Sequence, residues 1–161
     1  MQNKNMPAFY YEQVNLGYNY RMSDIQAALG LSQLRKAPFF VKERQELAKW
    51  YHEALKDETR IHLPLIDTDD NKSSWHLYQI TFNNDIRNDI YNNLRKRNIG
   101  VQVHYLPIYR HPYYQKLKKY PLLAGAEYFF NRTLTLPLFP NLGLVQRQLV
   151  VSSLISLLDK I

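Results

Sequence analysis

The constraint that most limits the fold of this chain is an alternating stretch at residues 75–82. His76, Tyr78, Ile80 and Phe82 lie on one side of this stretch, and its aromatic and β-branched content is typical of a strand. Apolar residues also occur on the other side, so both faces should be partly covered. The pattern therefore predicts a central strand of a small sheet.

A different spacing follows at once. Ile86, Ile90 and Leu94 recur every four residues, between Asp85 and the basic residues 95–97. Recurrence at this interval places side chains on one face of a helix, and basic residues in its last turn suit the helix dipole. We therefore expect an amphipathic helix directly after the strand.

Other helices are predicted by capping and by apolar stripes. Ser23 and Gln26 fit a capping box, so a helix should begin after Ser23, and Pro38 should end or kink it. Further helices are predicted at residues 41–56, at residues 121–132 and along a C-terminal stripe made by Val150, Leu154, Leu157, Leu158 and Ile161.

Two further extended stretches complete the predicted sheet. Residues 101–105 alternate between apolar and polar side chains until Pro107, and residues 133–136 are read as extended. Helices mixed with about three short strands predict an α+β fold, with helices packed on one face of a small, mainly antiparallel sheet.

Composition excludes several classes of protein. The chain has no cysteine, so disulfides and thiolate metal sites are excluded, and the cytoplasm is the expected location. The apolar runs are short and interrupted by proline, so we expect no membrane span. The net charge of +7 comes from basic residues scattered among acidic ones, which favours a solvated surface or a small anionic ligand over nucleic acid.

The common catalytic and metal-binding motifs are absent from the sequence. There is no phosphate-binding glycine loop, no G-x-S-x-G and no H-E-x-x-H, and the five histidines show no metal-ligand spacing. Asp67, Asp69 and Asp70 crowd one loop without the glycine and glutamate of a calcium loop, which indicates a solvated turn. We therefore expect no metal site.

Two segments carry candidate binding residues. Residues 17–22, G-Y-N-Y-R-M, place an amide, a guanidinium and two phenols ahead of a capped helix, where a phosphate can bind. Alternatively, Asn19 makes a turn and Arg21 pairs with a carboxylate. Residues 103–114, V-H-Y-L-P-I-Y-R-H-P-Y-Y, are called the aromatic segment below. Such a surface can stack on rings and bond to sugars, or it can pack as an apolar loop against the core.

The chain resembles the DegT/DnrJ/EryC1/StrS sugar aminotransferases along nearly all of its length. Residues 17–34, G-Y-N-Y-R-M-S-D-I-Q-A-A-L-G-L-S-Q-L, are similar to the hallmark segment of that family. Further matches follow in the family's order: W-H-L-Y at 75–78, N-I-G-V-Q-V-H-Y-L-P-I-Y at 98–109, P-Y-Y at 112–114, A-E-Y-F at 126–129 and L-P-L at 136–138.

This resemblance implies the small C-terminal domain of a fold type I, pyridoxal 5'-phosphate-dependent aminotransferase, working as a homodimer with active sites at the subunit interface. Glutamate would supply the amino group and a 4-keto nucleotide sugar would accept it. Asn19 would reach the partner's cofactor phosphate or substrate, and Tyr18 and Arg21 would shape that loop. The residues expected to line the nucleotide-sugar pocket are His104, Tyr105, Leu106, Pro107, Ile108 and Tyr109.

One departure from the family pattern concerns the catalytic lysine. In the family it lies upstream of the hallmark, in a segment of the type S-F-H-x-x-K, and nothing before Gly17 resembles that segment. We therefore expect residues 1–22 to be the connection to a large domain, residues 23–161 to be the small domain, and the chain alone to be inactive. The alternative is a noncatalytic module that binds nucleotide sugar or forms dimers.

Overall fold

The computed structural model describes residues 15–18 and 20–161, and the chain divides into two compact units, residues 1–35 and 36–161. The first unit contains helix α1 (Asp24–Leu34), and every other helix and strand of the described residues belongs to the second unit. Asn19 lies outside the described residues. The predicted domain boundary after residue 22 stays a prediction.

Helix α1 begins with the predicted capping box. The amide of Gln26 donates to the Ser23 hydroxyl at 3.4 Å, and the Ser23 amide donates to the Gln26 side chain at 2.9 Å. These two bonds satisfy amide groups that the first helical turn leaves free. No residue of α1 is buried, and its apolar residues Ile25, Leu29 and Leu34 are all exposed.

The second unit contains five α-helices and three strands. In chain order they are α2 (Ala37–Leu55), β1 (Ile61–His62), β2 (Tyr78–Phe82), α3 (Arg87–Lys96), a short 3₁₀ turn (Ile108–Arg110), α4 (Pro112–Leu117), α5 (Ala124–Arg132), β3 (Thr133–Leu136) and α6 (Leu144–Leu158). The predicted α+β fold is confirmed.

The strands form one antiparallel sheet in the order β1-β2-β3, so the predicted central position of the strand at residues 75–82 is confirmed. This strand begins at Tyr78 rather than at Trp75. Trp75 has a φ of 49°, so its backbone is left-handed and cannot continue a strand. Its indole nitrogen donates a hydrogen bond to Asp67 at 3.0 Å.

The prediction of a strand at residues 101–105 is wrong. Only Gln102 pairs with β3, through a single antiparallel bridge to Thr135. Beyond it, the carbonyl of His104 accepts a hydrogen bond from the Gln79 side chain, at 2.9 Å. The Gln79 side chain thus occupies the hydrogen-bonding position that a neighbouring strand would take. Residues 101–105 therefore do not extend the sheet, although their side chains alternate.

Asn98 ends helix α3. With its φ of 60°, its amide donates to the Arg95 carbonyl and the following Ile99 amide donates to the Leu94 carbonyl, both at 3.0 Å. These two bonds form a Schellman motif, and asparagine tolerates the left-handed conformation that the motif needs. Ile99 and Leu94 are both buried, so the helix end is also held by apolar packing.

Several helix boundaries differ from those predicted. Helix α2 begins at Ala37, not near residue 41, because Pro38 lies in its first turn, where the missing amide hydrogen costs nothing. Helix α5 begins at Ala124 rather than at Pro121, and Ile161 lies beyond the end of α6 and is exposed. None of the described helices is long and apolar enough to cross a membrane.

The core of the second unit lies between the sheet and helices α2, α3 and α6. Tyr78, Ile80 and Phe82 of β2 are fully buried with residues of all three helices. Tyr51 of α2 is also fully buried, and its hydroxyl donates to the Pro137 carbonyl at 2.9 Å, which ties α2 to the chain that follows β3. The helices therefore fix one face of the sheet.

The core predicts a difference between two leucines of α6. Leu154 is fully buried and Leu144 is 54% exposed. Leu154→Ala should lower the free energy of unfolding by about 2–5 kcal/mol, because it removes packed methyl groups and leaves a cavity. Leu144→Ala, the control in the same helix, should lower it by less than about 1 kcal/mol. Urea denaturation measures both, and equal losses would contradict this description of the core.

Candidate functional site

Two polar side chains of the sheet hold His104 in place. Gln79 of β2 and Thr135 of β3 are paired directly across the two strands. Gln79 donates to the backbone carbonyl of His104 at 2.9 Å, and the Thr135 hydroxyl lies 2.8 Å from Nδ1 of the His104 ring. Backbone and ring are thus both fixed, which leaves Nε2 as the remaining polar atom of the imidazole.

His104 lines a cavity of about 430 Å³. His76, Thr135 and Phe139 also line it, together with Leu77, Asn98, Ile99, Gly100, Gln102, Leu136, Pro137, Leu138, Leu142, Gln146, Leu149 and Val150. Most of these groups are apolar, with a few amide, hydroxyl and imidazole groups among them. A lining of this kind suits a small ligand that has an apolar face and a few hydrogen-bonding atoms.

The electrostatic environment keeps His104 neutral. Partial removal from water lowers the pKa of His104, and the nearby imidazole of His76 lowers this pKa further, because two cationic rings would repel each other. At neutral pH the ring therefore carries one proton and can offer a single donor or a single acceptor to a ligand.

None of the other predicted pocket residues lines this cavity. The Tyr105 ring meets the His104 ring edge-on, with 4.6 Å between centroids, and is 69% exposed. Ile108 is 64% exposed, whereas Leu106 and Pro107 are half-buried. Of the six predicted pocket residues, only His104 is part of the cavity lining, and Tyr105 lies next to it.

Tyr109 points to a different neighbour. Its hydroxyl donates to Glu127 of α5 at 2.8 Å, and the adjacent Arg110 donates to the same carboxylate. Partial removal from water and the bond to Glu127 both raise the pKa of Tyr109, so its hydroxyl keeps its proton and acts as a donor. Tyr109 therefore joins the aromatic segment to α5.

The predicted cofactor residues belong to the first unit. Tyr18 is 83% exposed and stacks on Tyr20 with 5.1 Å between ring centroids, and Arg21 is exposed. A guanidinium and a phenol are donors that suit a phosphate group. Because both are open to water, further protein would have to enclose a cofactor there. Among the described residues, no group of three His, Asp or Glu side chains could hold a metal ion.

The residues that support this site were not predicted from the sequence. Gln79 and Thr135 sit at the alternate positions of two strands, so the alternation could have indicated a polar face. Glu127 lies in the A-E-Y-F motif, which was noted without a role for its carboxylate. His76 was predicted to lie in the strand on the same face as Tyr78, Ile80 and Phe82, but it lies ahead of β2 and is exposed. Nothing in the sequence indicated that it lines the same cavity as His104.

Comparison with known proteins identifies relatives along most of the chain. The sequence profile of the DegT/DnrJ/EryC1/StrS aminotransferase family matches residues 1–155. The UDP-4-amino-4,6-dideoxy-N-acetyl-beta-L-altrosamine transaminase of Helicobacter pylori is 40% identical over 153 residues, covering 91% of this chain and 40% of that protein. The spore coat polysaccharide biosynthesis protein SpsC of Bacillus subtilis is 36% identical over 143 residues, covering 84% of this chain and 36% of SpsC.

Solved structures agree with these matches. PseC from Helicobacter pylori, an aminotransferase involved in the biosynthesis of pseudoaminic acid, superimposes with a TM-score of 0.86 at 37% identity, over 97% of this chain and 43% of PseC. The putative sugar aminotransferase Spr1654 of Streptococcus pneumoniae, in its PLP-form, gives 0.82 at 29% identity, over 95% of this chain and 40% of that one. The chain thus spans about 40% of the length of its relatives. Members of this family depend on pyridoxal 5'-phosphate.

The surroundings of His104 predict its titration. An NMR titration should place its midpoint below the ordinary 6.5, and His76→Asn should raise the pKa only in part, because burial is the larger cause. Since the folded state binds this proton more weakly than the unfolded state, the site should make the protein less stable as pH falls through about 6.5. His62→Asn, on β1, is the control and should leave the titration unchanged. A midpoint above 6.5 would contradict this geometry.

Proposed function

Because the chain belongs to the DegT/DnrJ/EryC1/StrS aminotransferase family, we propose that it is the C-terminal portion of an enzyme that transfers an amino group from glutamate to a 4-keto-6-deoxy nucleotide sugar. Surface polysaccharide or glycan biosynthesis is the corresponding process, and the name of the relative SpsC supports it. The cytoplasm, where glutamate and nucleotide sugars are made, is the proposed location.

One observation carries this proposal: His104 is held by Gln79 and Thr135 at the wall of a largely apolar cavity of about 430 Å³. A neutral, oriented imidazole can exchange one hydrogen bond with a sugar hydroxyl or with a base edge. The exposed ring of Tyr105 beside it can stack on a flat ligand group. Leu106, Pro107, Ile108 and Tyr109 would continue this surface.

The first unit would supply groups for the cofactor. We propose that Asn19, Tyr18 and Arg21 contact the cofactor phosphate, with Asn19 also reaching the substrate. The guanidinium of Arg21 would balance the phosphate charge, and the Tyr18 phenol would donate one hydrogen bond. Pyridoxal 5'-phosphate, when bound, supplies an electron sink for the carbon that carries the amino group.

The relatives support a proposal for the sugar. The chain is 40% identical to the altrosamine transaminase of Helicobacter pylori and shares its fold with PseC, an aminotransferase involved in pseudoaminic acid biosynthesis. We therefore propose the UDP-linked 4-keto-6-deoxy sugar of that route as the substrate. A noncatalytic module that binds nucleotide sugar is the competing function, favoured by the absence of the lysine motif from these residues.

A turnover assay tests the predicted inactivity of the isolated chain. Mixed with pyridoxal 5'-phosphate, glutamate and the 4-keto sugar nucleotide, the chain should form no 2-oxoglutarate, because no lysine of the family motif is present to hold the cofactor. The transaminase from Helicobacter pylori, assayed in parallel, is the positive control. Glutamate-dependent formation of 2-oxoglutarate by this chain would contradict the predicted inactivity and would assign the lysine role to a residue of these 161.

A second copy of the chain is the proposed partner of helix α1. An isolated helix of 11 residues is only marginally stable in water, and the exposed Ile25, Leu29 and Leu34 would gain stability by packing. Homodimer formation, which the family resemblance implies, would cover them.

Self-association through helix α1 can be tested by light scattering over a wide range of protein concentration. The chain should show a concentration-dependent rise in mass, and Leu29→Glu should shift this rise to roughly tenfold higher concentration, since a charge replaces an apolar contact. Gln33→Glu adds the same charge to a polar position of α1 and should change little. A strict monomer at every concentration would rule out α1 as a self-association surface.

A further inference from the structure

Glu127 has no role in the function proposed so far, although it lies in the A-E-Y-F motif. Its side chain, on helix α5, is only 15% exposed and accepts hydrogen bonds from two consecutive residues of the aromatic segment. Tyr109 donates its hydroxyl at 2.8 Å, and Arg110 donates through Nε at 3.0 Å and through Nη2 to the second carboxylate oxygen. The carboxylate thus receives a two-pronged guanidinium and a phenol.

Helix α5 holds Arg110 at a second point. The Arg110 guanidinium carbon lies 5.2 Å from the ring centre of Phe130, which follows Glu127 by three residues and so lies on the same side of the helix. Arg87 of α3 lies at the same distance from that ring. A cation over an aromatic face is attracted by the ring's negative charge density, so Phe130 links α3, α5 and Arg110.

The aromatic segment is therefore anchored at both ends of its central part. At one end, Gln79 and Thr135 hold His104 against the sheet. At the other end, Glu127 holds Tyr109 and Arg110 against α5. Between these anchors, Tyr105 and Ile108 are exposed, so they project from a stretch of backbone whose two ends cannot move freely.

We infer that Glu127 is a positioning residue for nucleotide-sugar binding: by holding Tyr109 and Arg110, it sets the path of residues 104–110 and hence the place of His104 and Tyr105. This inference rests on the function proposed above. A glutamine cannot replace the carboxylate, because its amide group has only one acceptor oxygen for the two prongs of the guanidinium. Loss of this grip lets the segment move without removing any group that touches the ligand.

Glu58 provides a matched control. Its side chain is 11% exposed and accepts from the Arg60 amide, Nε and Nη2, so it makes the same kind of two-pronged pair with arginine. Arg60 also bonds to Asp159, at 2.9 Å, and none of these three residues hydrogen-bonds to the aromatic segment. Glu58→Gln therefore removes an equivalent ion pair without releasing that segment.

The experiment compares Glu127→Gln, Glu58→Gln and the unaltered full chain by NMR and by titration with UDP-N-acetylglucosamine. In Glu127→Gln the ring signals of His104 and Tyr105 should move, and the nucleotide sugar should bind roughly tenfold more weakly. Glu58→Gln should lower the melting temperature by a similar amount yet leave those signals and the affinity unchanged. Tyr109→Phe, which deletes only the hydroxyl bond to Glu127, should shift the same signals by a smaller amount and covers the case that Glu127→Gln fails to fold.

The outcomes distinguish the positioning role of Glu127 from the proposed function. If the His104 and Tyr105 signals stay in place in both Glu127→Gln and Tyr109→Phe, Glu127 does not position the segment and the inference is overturned. It is also overturned if the signals move but the affinity does not change. If the unaltered chain does not bind the nucleotide sugar while the signals still move in Glu127→Gln, the positioning role is supported and the proposed function loses its support.

Discussion

Strand β2 determines both the core and the candidate site, because its side chains alternate between two faces. Tyr78, Ile80 and Phe82 are fully buried against the helices. Gln79, between them, faces the other way and donates to the His104 carbonyl. A slip of one residue in the pairing of β2 with β3 would turn the apolar side chains outward and move Gln79 into the core. Burial of three large apolar side chains thus fixes the position of Gln79, which holds the backbone of His104.

Sequence reasoning found the elements whose signals are local. The Ser23 cap, the helix before Asn98 and the alternation in β2 each depend on residues within a few positions of one another, so the pattern is visible in the sequence. Prediction from the sequence failed where a tertiary contact determines the local structure. The residues 101–105 alternate like a strand, and Val101 is buried as that pattern requires. However, the Gln79 side chain takes the His104 carbonyl, and pairing with β3 stops after Gln102.

The candidate site shows the same division. Residues 104–109 were predicted from their aromatic and imidazole content and from family resemblance. Their supports could not be predicted, because Gln79, Thr135 and Glu127 lie 25, 31 and 18 positions away from the atoms that they hold. Contacts over such separations follow from strand register and helix packing, which cannot be read from a single sequence. The residues proposed to face a ligand could thus be named from the sequence, whereas the residues that hold His104 and Tyr109 could not.

The two units differ in how their stability is supplied. The second unit buries its own core of residues from α2, α3, α6 and the sheet, so the anchors of His104 and Tyr109 depend only on contacts inside that unit. Helix α1 of the first unit has a complete cap but buries none of its side chains. Capping contributes about 1 kcal/mol, which is too little to hold an isolated helix of this length, so α1 would gain stability if its exposed apolar residues were packed. The proposed ligand contacts of the aromatic segment therefore depend on the core of the second unit, whereas the proposed cofactor contacts of Tyr18 and Arg21 lie in a unit whose helix α1 buries none of its side chains.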